Sequence, residues 1–259
     1  NTEWSSAFDI GRKITAANLA DVYAMGGEPL MAIAILGWPI NVIPPIVARR
    51  VIEGSKSICL EAGIPLAGGH SIDSPEPIFG LAVNGLVEIK NLKQNNTAKK
   101  GDVLLLTKKI GVGILTTAEK KNQLRAEDKL LAANQMMQLN KIGALLGGVA
   151  GVSAMTDVTG FGLLGHLIEL AEGSGLSAVV DFSKVPLISD RLVDYVEMGA
   201  VPGGTNRNWD SYGHKVSMVN SSAASLHKNI LADPQTSGGL LISVSKESLN
   251  EVVAILNEG

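Results

Sequence analysis

The chain has 259 residues, with 22 Lys and Arg against 25 Asp and Glu, a formal net charge of −3 and one cysteine. That length supports a full core in one large or two modest domains, and an acidic balance without a basic patch argues against an electrostatically driven nucleic-acid binder. A single cysteine excludes an internal disulfide framework and makes the cytoplasm the expected compartment, while the most apolar stretch, PLMAIAILGWPI, is too short to span a bilayer and is broken by Gly37 and Pro39.

The opening segment NTEWSSAFDIGRK lacks an initiator Met and shows no signal-peptide pattern, so the chain reads as cut rather than begun. Ile10, Ile14, Ala17 and Val22 recur at helical spacing and predict a first helix, with Asp9 as its N-cap and Gly26-Gly27 as its terminator. Residues 30–36 read as a buried strand. Pro44-Pro45 then opens a helix that runs to Gly63, a residue suited to the left-handed cap. Within that helix Cys59 reads as a small buried hydrophobe rather than a nucleophile. IPLAGGHSID predicts a short strand entering a glycine-rich turn, and IFGLAVNGLVEI another strand.

The polar stretch KNLKQNNTAKKG is the linker candidate, with a boundary placed near residue 98. Beyond it, DVLLLTK predicts a strand, IGVGILTTAEKK a short helix, and EDKLLAANQMMQLNKIGALLG one long helix with apolar positions at Leu130, Leu131, Met137 and Leu145. GVSAMTD, LSAVVDF and SGGLLISV predict strands, and FGLLGHLIELAEG and KESLNEVVAILN helices. Interleaved strands and helices make both halves α+β or α/β. The doublets Lys99-Lys100, Lys108-Lys109 and Lys120-Lys121 read as solvated surface. Asn95-Asn96-Thr97 and Asn220-Ser221-Ser222 fit a glycosylation pattern but carry no claim.

Four features invite chemistry. Asp21 sits near the negative end of the first helix, either as an ordinary exposed aspartate or as a metal ligand. Asp157 closes a strand beside a helix start, where an N-cap and a ligand role carry equal weight. Gly68-Gly69-His70-Ser71 reads as a turn on generic grounds, with an anion cradle as the alternative; it matches neither the P-loop nor the Rossmann fingerprint. The loop Asp233-Pro234-Gln235-Thr236-Ser237-Gly238-Gly239 divides evenly between structural and functional readings. His166, within an apolar helix, reads as a satisfied core or boundary histidine.

Read together, ADVYAMGG, MAIAILGWPIN, LAGGHSIDSPEPIFGLAVNG, IGVGILTTAEKK, AMTDVTGFGLLGH, MGAVPGGTNRN and ADPQTSGGLL resemble the bacterial selenophosphate synthetases in order and spacing. The resemblance implies a PurM-like α+β fold in two domains: residues 1–98, an α/β half that pairs with its twin in a homodimer, and residues 99–259, an α+β half. It implies synthesis of selenophosphate, AMP and phosphate from ATP, selenide and water, with Mg²⁺. It maps Asp21 to metal and nucleotide, Gly69, His70 and Ser71 to ATP, and Asp157 to metal. The family's catalytic Cys or selenocysteine, its partner Lys and further aspartates lie in a segment that precedes the Asp21 motif. Nothing in the chain matches that segment, so no catalytic residue is assigned and the fragment is expected to be incomplete. Alternatives are another ATP-dependent member of the superfamily, such as a thiamine-monophosphate kinase or a purine-pathway synthetase, or a non-catalytic dimeric core.

Overall fold

The computed structural model describes residues 6–219 and 223–258; the tripeptide at Asn220 lies outside the described residues. The first helix, α1 (Ala7–Ala24), starts one turn earlier than expected. Ser6, not Asp9, is its N-cap: the Ser6 hydroxyl accepts from the Asp9 amide at 3.1 Å and donates to the Asp9 carboxylate at 2.7 Å, which places Asp9 in the first turn as the reciprocal partner. Gly26, at φ +74°, turns the chain into β1 (Glu28–Trp38). Next, α2 (Pro45–Ala62) begins at a proline and ends on Gly63 at φ +81°. The two helices cross through reciprocal glycines. A Cβ on Gly11 would lie 1.9 Å from Val51 O, and one on Gly54 would lie 1.9 Å from Phe8 O, while Thr15 donates to Ser55 in the buried seam.

β2 (Leu66–Asp73) and β3 (Ile78–Leu86) complete a sheet of order β2-β1-β3, with β2 parallel and β3 antiparallel to β1. The glycine-rich turn expected at residues 68–71 is strand instead, paired with residues 33–36 of β1. Gly69 explains the difference: a Cβ there would sit 2.1 Å from Ala34 O, so the glycine permits close strand approach rather than a reversal. One face of this sheet buries Ala32 against Leu19, Tyr23, Ile58 and Cys59, and Asn18 accepts from the Leu81 amide at 2.9 Å to dock α1 on β3. The other face is uncovered and apolar, with Ile33, Ile72 and Ile78 beside Ile35, which is 52% exposed.

The second half contains β4 (Val103–Leu106), α3 (Val112–Lys120), α4 (Leu131–Met136), α5 (Ile142–Gly147), β5 (Val152–Asp157) and α6 (Gly162–Gly173). Then follow α7 (Leu192–Glu197), α8 (Gly203–Tyr212), α9 (Ala224–Leu231), β6 (Leu240–Val244) and α10 (Leu249–Glu258). Its sheet, β4-β6-β5, is antiparallel throughout and buried on both sides of β6. The polar segment before β4 is hydrogen-bonded to this half, with Lys93 Nζ donating to Val149 O and Val152 O.

Two expectations fail here for identifiable reasons. The long helix expected over 127–147 is broken into a 3-10 turn and two short helices. Asp128 is captured by Tyr195 and Ser189 at 2.5 and 2.8 Å, and the Gln138 carbonyl, which a continuous helix would use internally, accepts from Lys108 Nζ at 2.8 Å. Leu130, at φ +69°, and Leu145 consequently point to solvent. LSAVVDF forms no strand: Val179 is exposed, and Asp181 accepts from the Ser183 amide at 3.1 Å to close a turn at Phe182–Lys184. The helices α7, α8 and α9 are short and were not anticipated. Among the described residues, no helix is long and apolar enough to cross a membrane.

Candidate functional site

α1 packs beside the end of β5 and so brings together two of the residues singled out in the sequence. Asp157, the last residue of β5, is 8% exposed, and its Oδ2 has no hydrogen-bond partner among the described residues. Burial pushes its carboxyl up to about 6, with the charge of Asp21 acting in the same direction and the ammonium of Lys108 opposing it. Asp21 is itself solvent-exposed at the rim, and partial desolvation raises its carboxyl above the ordinary value. Two carboxylates from separate elements thus share one electrostatic environment.

Lys108 is the residue that reasoning from sequence missed. Its neighbour Lys109 is exposed, as a solvated doublet should be, but Lys108 is 9% exposed and faces inward. Its Nζ donates to Gln138 O at 2.8 Å and Ser237 O at 2.9 Å. Burial lowers its ammonium to about 8, while Asp157 holds it up.

The loop after Asp157 is fixed on every side. Val158 N donates to Gly239 O at 2.9 Å, Asn208 to Gly160 O at 2.8 Å and Tyr212 to Phe161 O at 2.6 Å. His166 Nε2 accepts from the Thr159 amide at 3.0 Å, so that nitrogen carries no proton; burial lowers the imidazole pKa in the same sense. His166 is a buried prop for the loop.

The Asp233–Gly239 loop has a clear structural task. Gln235 Oε1 accepts from the Gly111 and Val112 amides at 3.2 Å, and Asp233 Oδ2 accepts from Gly113 N at 2.9 Å, so together they cap the α3 N-terminus. Its glycines let three segments meet: a Cβ on Gly238 would lie 2.2 Å from Val158 O, and one on Gly239 2.3 Å from Lys108 N.

Gly69, His70 and Ser71 lie on the exposed outer strand β2, with His70 opposite Ile35 and Ser71 opposite Leu36. Neither His70 nor Ser71 makes a side-chain hydrogen bond among the described residues, and the structure does not join them to the Asp21–Asp157 pair. Cys59 is fully buried with its thiol pKa raised by desolvation, which leaves it unreactive. Among the described residues no cluster of three or more His, Cys, Asp or Glu forms.

Comparison with known proteins adds the following. The model for AIR synthase related protein, N-terminal domain, matches residues 2–87, and that for AIR synthase related protein, C-terminal domain, matches residues 99–259. The chain is 58% identical to a selenide, water dikinase of Pseudomonas putida over 97% of its own length and 72% of the relative's. It is 57% identical to one of Aeromonas hydrophila over 96% of its own length and 70% of the relative's. Among solved structures it resembles thiamine-monophosphate kinase from Stenotrophomonas maltophilia, with a TM-score of 0.73, 18% identity and coverage of 98% of this chain and 73% of that one. It also resembles the hydrogenase maturation protein HypE in complex with ATP, with a TM-score of 0.69, 18% identity and coverage of 96% and 67%. These two likenesses concern the fold alone.

Proposed function

The chain belongs to the selenide, water dikinase family, and from that premise we propose that Asp21 and Asp157 hold Mg²⁺ against the phosphates of ATP during selenophosphate synthesis. In that reaction ATP, selenide and water give selenophosphate, AMP and phosphate, which makes the protein a phosphotransferase. The observation that carries the metal assignment is the unpartnered, buried Oδ2 of Asp157 facing the field of a second carboxylate. Burying the ionised carboxylate of Asp157 within the field of the rim carboxylate of Asp21 is unfavourable unless a cation joins them, and one or two carboxylates completed by phosphate oxygens and water suit Mg²⁺. When bound, Mg²⁺ neutralises phosphate charge and orients the transferring phosphoryl group.

The chain's own residues do the remaining positioning. His166, Asn208 and Tyr212 hold the loop behind Asp157, and the Gln235–Asp233 cap fixes α3 against it. Gly69, His70 and Ser71 are assigned to ATP binding, with backbone and hydroxyl groups on an open strand available to a ligand. We assign no nucleophile to Cys59.

The uncovered sheet face supports a homodimer: a contiguous apolar patch at Ile33, Ile35, Ile72 and Ile78 is what a self-complementary interface buries. Residues 1–98 and 99–259 are read as the two domains, and the cytoplasm as the compartment. The test is formation of AMP from ATP by the full-length protein with and without selenide. Selenide-dependent AMP is the expected result; ATP turnover indifferent to selenide would instead place the chain with another ATP-dependent activity on this fold.

A further inference from the structure

Lys108 stands beside the proposed metal site without belonging to its ligand set. It continues the parity of Leu104 and Leu106, the face of β4 whose side chains pack into the larger core, and so carries an ammonium where that face has been placing leucine. Two of its three protons are committed to backbone carbonyls, Gln138 O and Ser237 O.

The second of these acceptors leads further. Ser237 is 2% exposed and adopts φ +49°, a left-handed conformation that non-glycine residues rarely hold. Its hydroxyl donates to Lys13 O at 3.0 Å. Lys13 lies on α1, about two turns before Asp21. Asn140 adds a bond to the adjoining Gly238 O at 2.9 Å. A path of two hydrogen bonds therefore runs from Lys108, the cationic neighbour of Asp157, through Ser237 to the helix that carries Asp21. Ser237 holds an unfavourable backbone conformation at the midpoint, which is where strain is retained when the surrounding contacts demand it.

We propose that Lys108 and Ser237 form a strap that sets the spacing between Asp21 and Asp157, which makes Lys108 a positioning residue of the metal and nucleotide site. This rests on the assignment of those two aspartates to metal. A purely electrostatic role for Lys108 makes the opposite prediction. A lone cation beside two carboxylates repels a divalent ion, so removing it should tighten metal binding, and Ser237, which carries no charge, should not matter.

The experiment measures Mn²⁺ affinity of the full-length protein by paramagnetic titration at fixed pH and ionic strength, with melting temperature recorded alongside. The proteins compared are wild type, Asp157→Ala, Lys108→Met and Ser237→Ala. The strap predicts that Lys108→Met and Ser237→Ala both weaken Mn²⁺ binding, on the order of tenfold, as losses of residues that orient metal ligands do. Tighter binding in Lys108→Met with no change in Ser237→Ala overturns the proposal, as does lowered melting temperature with unchanged affinity in both. If Lys108→Met does not fold, Ser237→Ala decides alone, because it breaks the link to α1 and leaves the charge in place. Wild-type affinity in Asp157→Ala would remove the metal assignment itself; loss of binding there, with both strap variants normal, would remove only the strap.

Discussion

Replacing Asp233 by Asn should stabilise the protein at alkaline pH, with an effect that moves in the stabilising direction as pH rises. Asp233 is 0% exposed, its Oδ2 accepts from Gly113 N and Gln235 Nε2 at 2.9 and 2.8 Å, and its Oδ1 has no partner among the described residues. Burial pushes the carboxyl from 3.8 to about 7. The folded value lies above the unfolded one, so the group's contribution is intact below the unfolded value and is lost as pH rises through about 7. At about pH 8 that loss amounts to about 4 kcal/mol, and at about pH 4.5 to about 1 kcal/mol. Asn keeps an oxygen for the Gly113 amide but places an NH₂ without a partner near the Gly113 Cα, a cost of about 2 kcal/mol that does not depend on pH. The net gain at about pH 8 is therefore about 2 kcal/mol. The change in the variant's advantage between the two pH values, from which the amide cost cancels, is about 3 kcal/mol. Urea unfolding of both proteins at the two pH values, with divalent metal chelated, measures it. A difference that stays constant with pH, or that shrinks as pH rises, refutes the view that Asp233 is ionised at a cost inside the fold.

Asp157→Ala in the full-length protein should lower selenide-dependent AMP formation by on the order of a hundredfold or more, and chelation of divalent metal should do the same to wild type; near-normal turnover in the variant would sink the metal assignment. Ile35→Asp puts a charge at the centre of the uncovered sheet face and should shift the protein from dimer to monomer in sedimentation velocity, with an unchanged circular dichroism spectrum. An unchanged dimer would place the interface elsewhere. Gly54→Ala forces a methyl against Phe8 O, a backbone atom that cannot swing aside, and should cost about 3 kcal/mol in urea unfolding; a neutral outcome would mean that α1 and α2 separate freely.

Elements whose signals are local were legible in the sequence. α2 carries its own start in Pro45 and its own stop in Gly63, and residues 30–36 of β1 are an unbroken apolar run, although the burial expected of that strand holds on one face only, with Ile33 and Ile35 exposed on the other. The misreadings occurred where a distant residue competes for a local group. The stretch 127–147 has helical periodicity, yet Lys108 and Tyr195, remote in the chain, capture Gln138 O and the Asp128 carboxylate and break it. LSAVVDF has strand composition, but β-propensity expresses fit to a neighbouring strand, and this segment has none among the described residues. In Gly68-Gly69, glycine was read as freedom to turn, whereas here it allows backbone to approach backbone.

At the site, neither Asp21 nor Asp157 stood out from its ordinary alternative when taken alone, because each role depends on the other residue being near. That proximity comes from α1 packing beside β5, a contact between residues far apart in the chain. Lys108 is different, because its signal was present and was outweighed. A lysine doublet suggests a solvated surface, but both faces of β4 are packed, Leu104 and Leu106 into the larger core and Val103 and Leu105 into a second one, and the strand period of two aligns Lys108 with Leu104 and Leu106. A lysine that follows two inward leucines is either at the frayed end of its strand or buried, and if buried it must find acceptors and a counter-charge. Here it finds Gln138 O, Ser237 O and Asp157. A lysine doublet that follows a strand packed on both faces can therefore contain a buried cation, and a buried cation points to the carboxylate it accompanies.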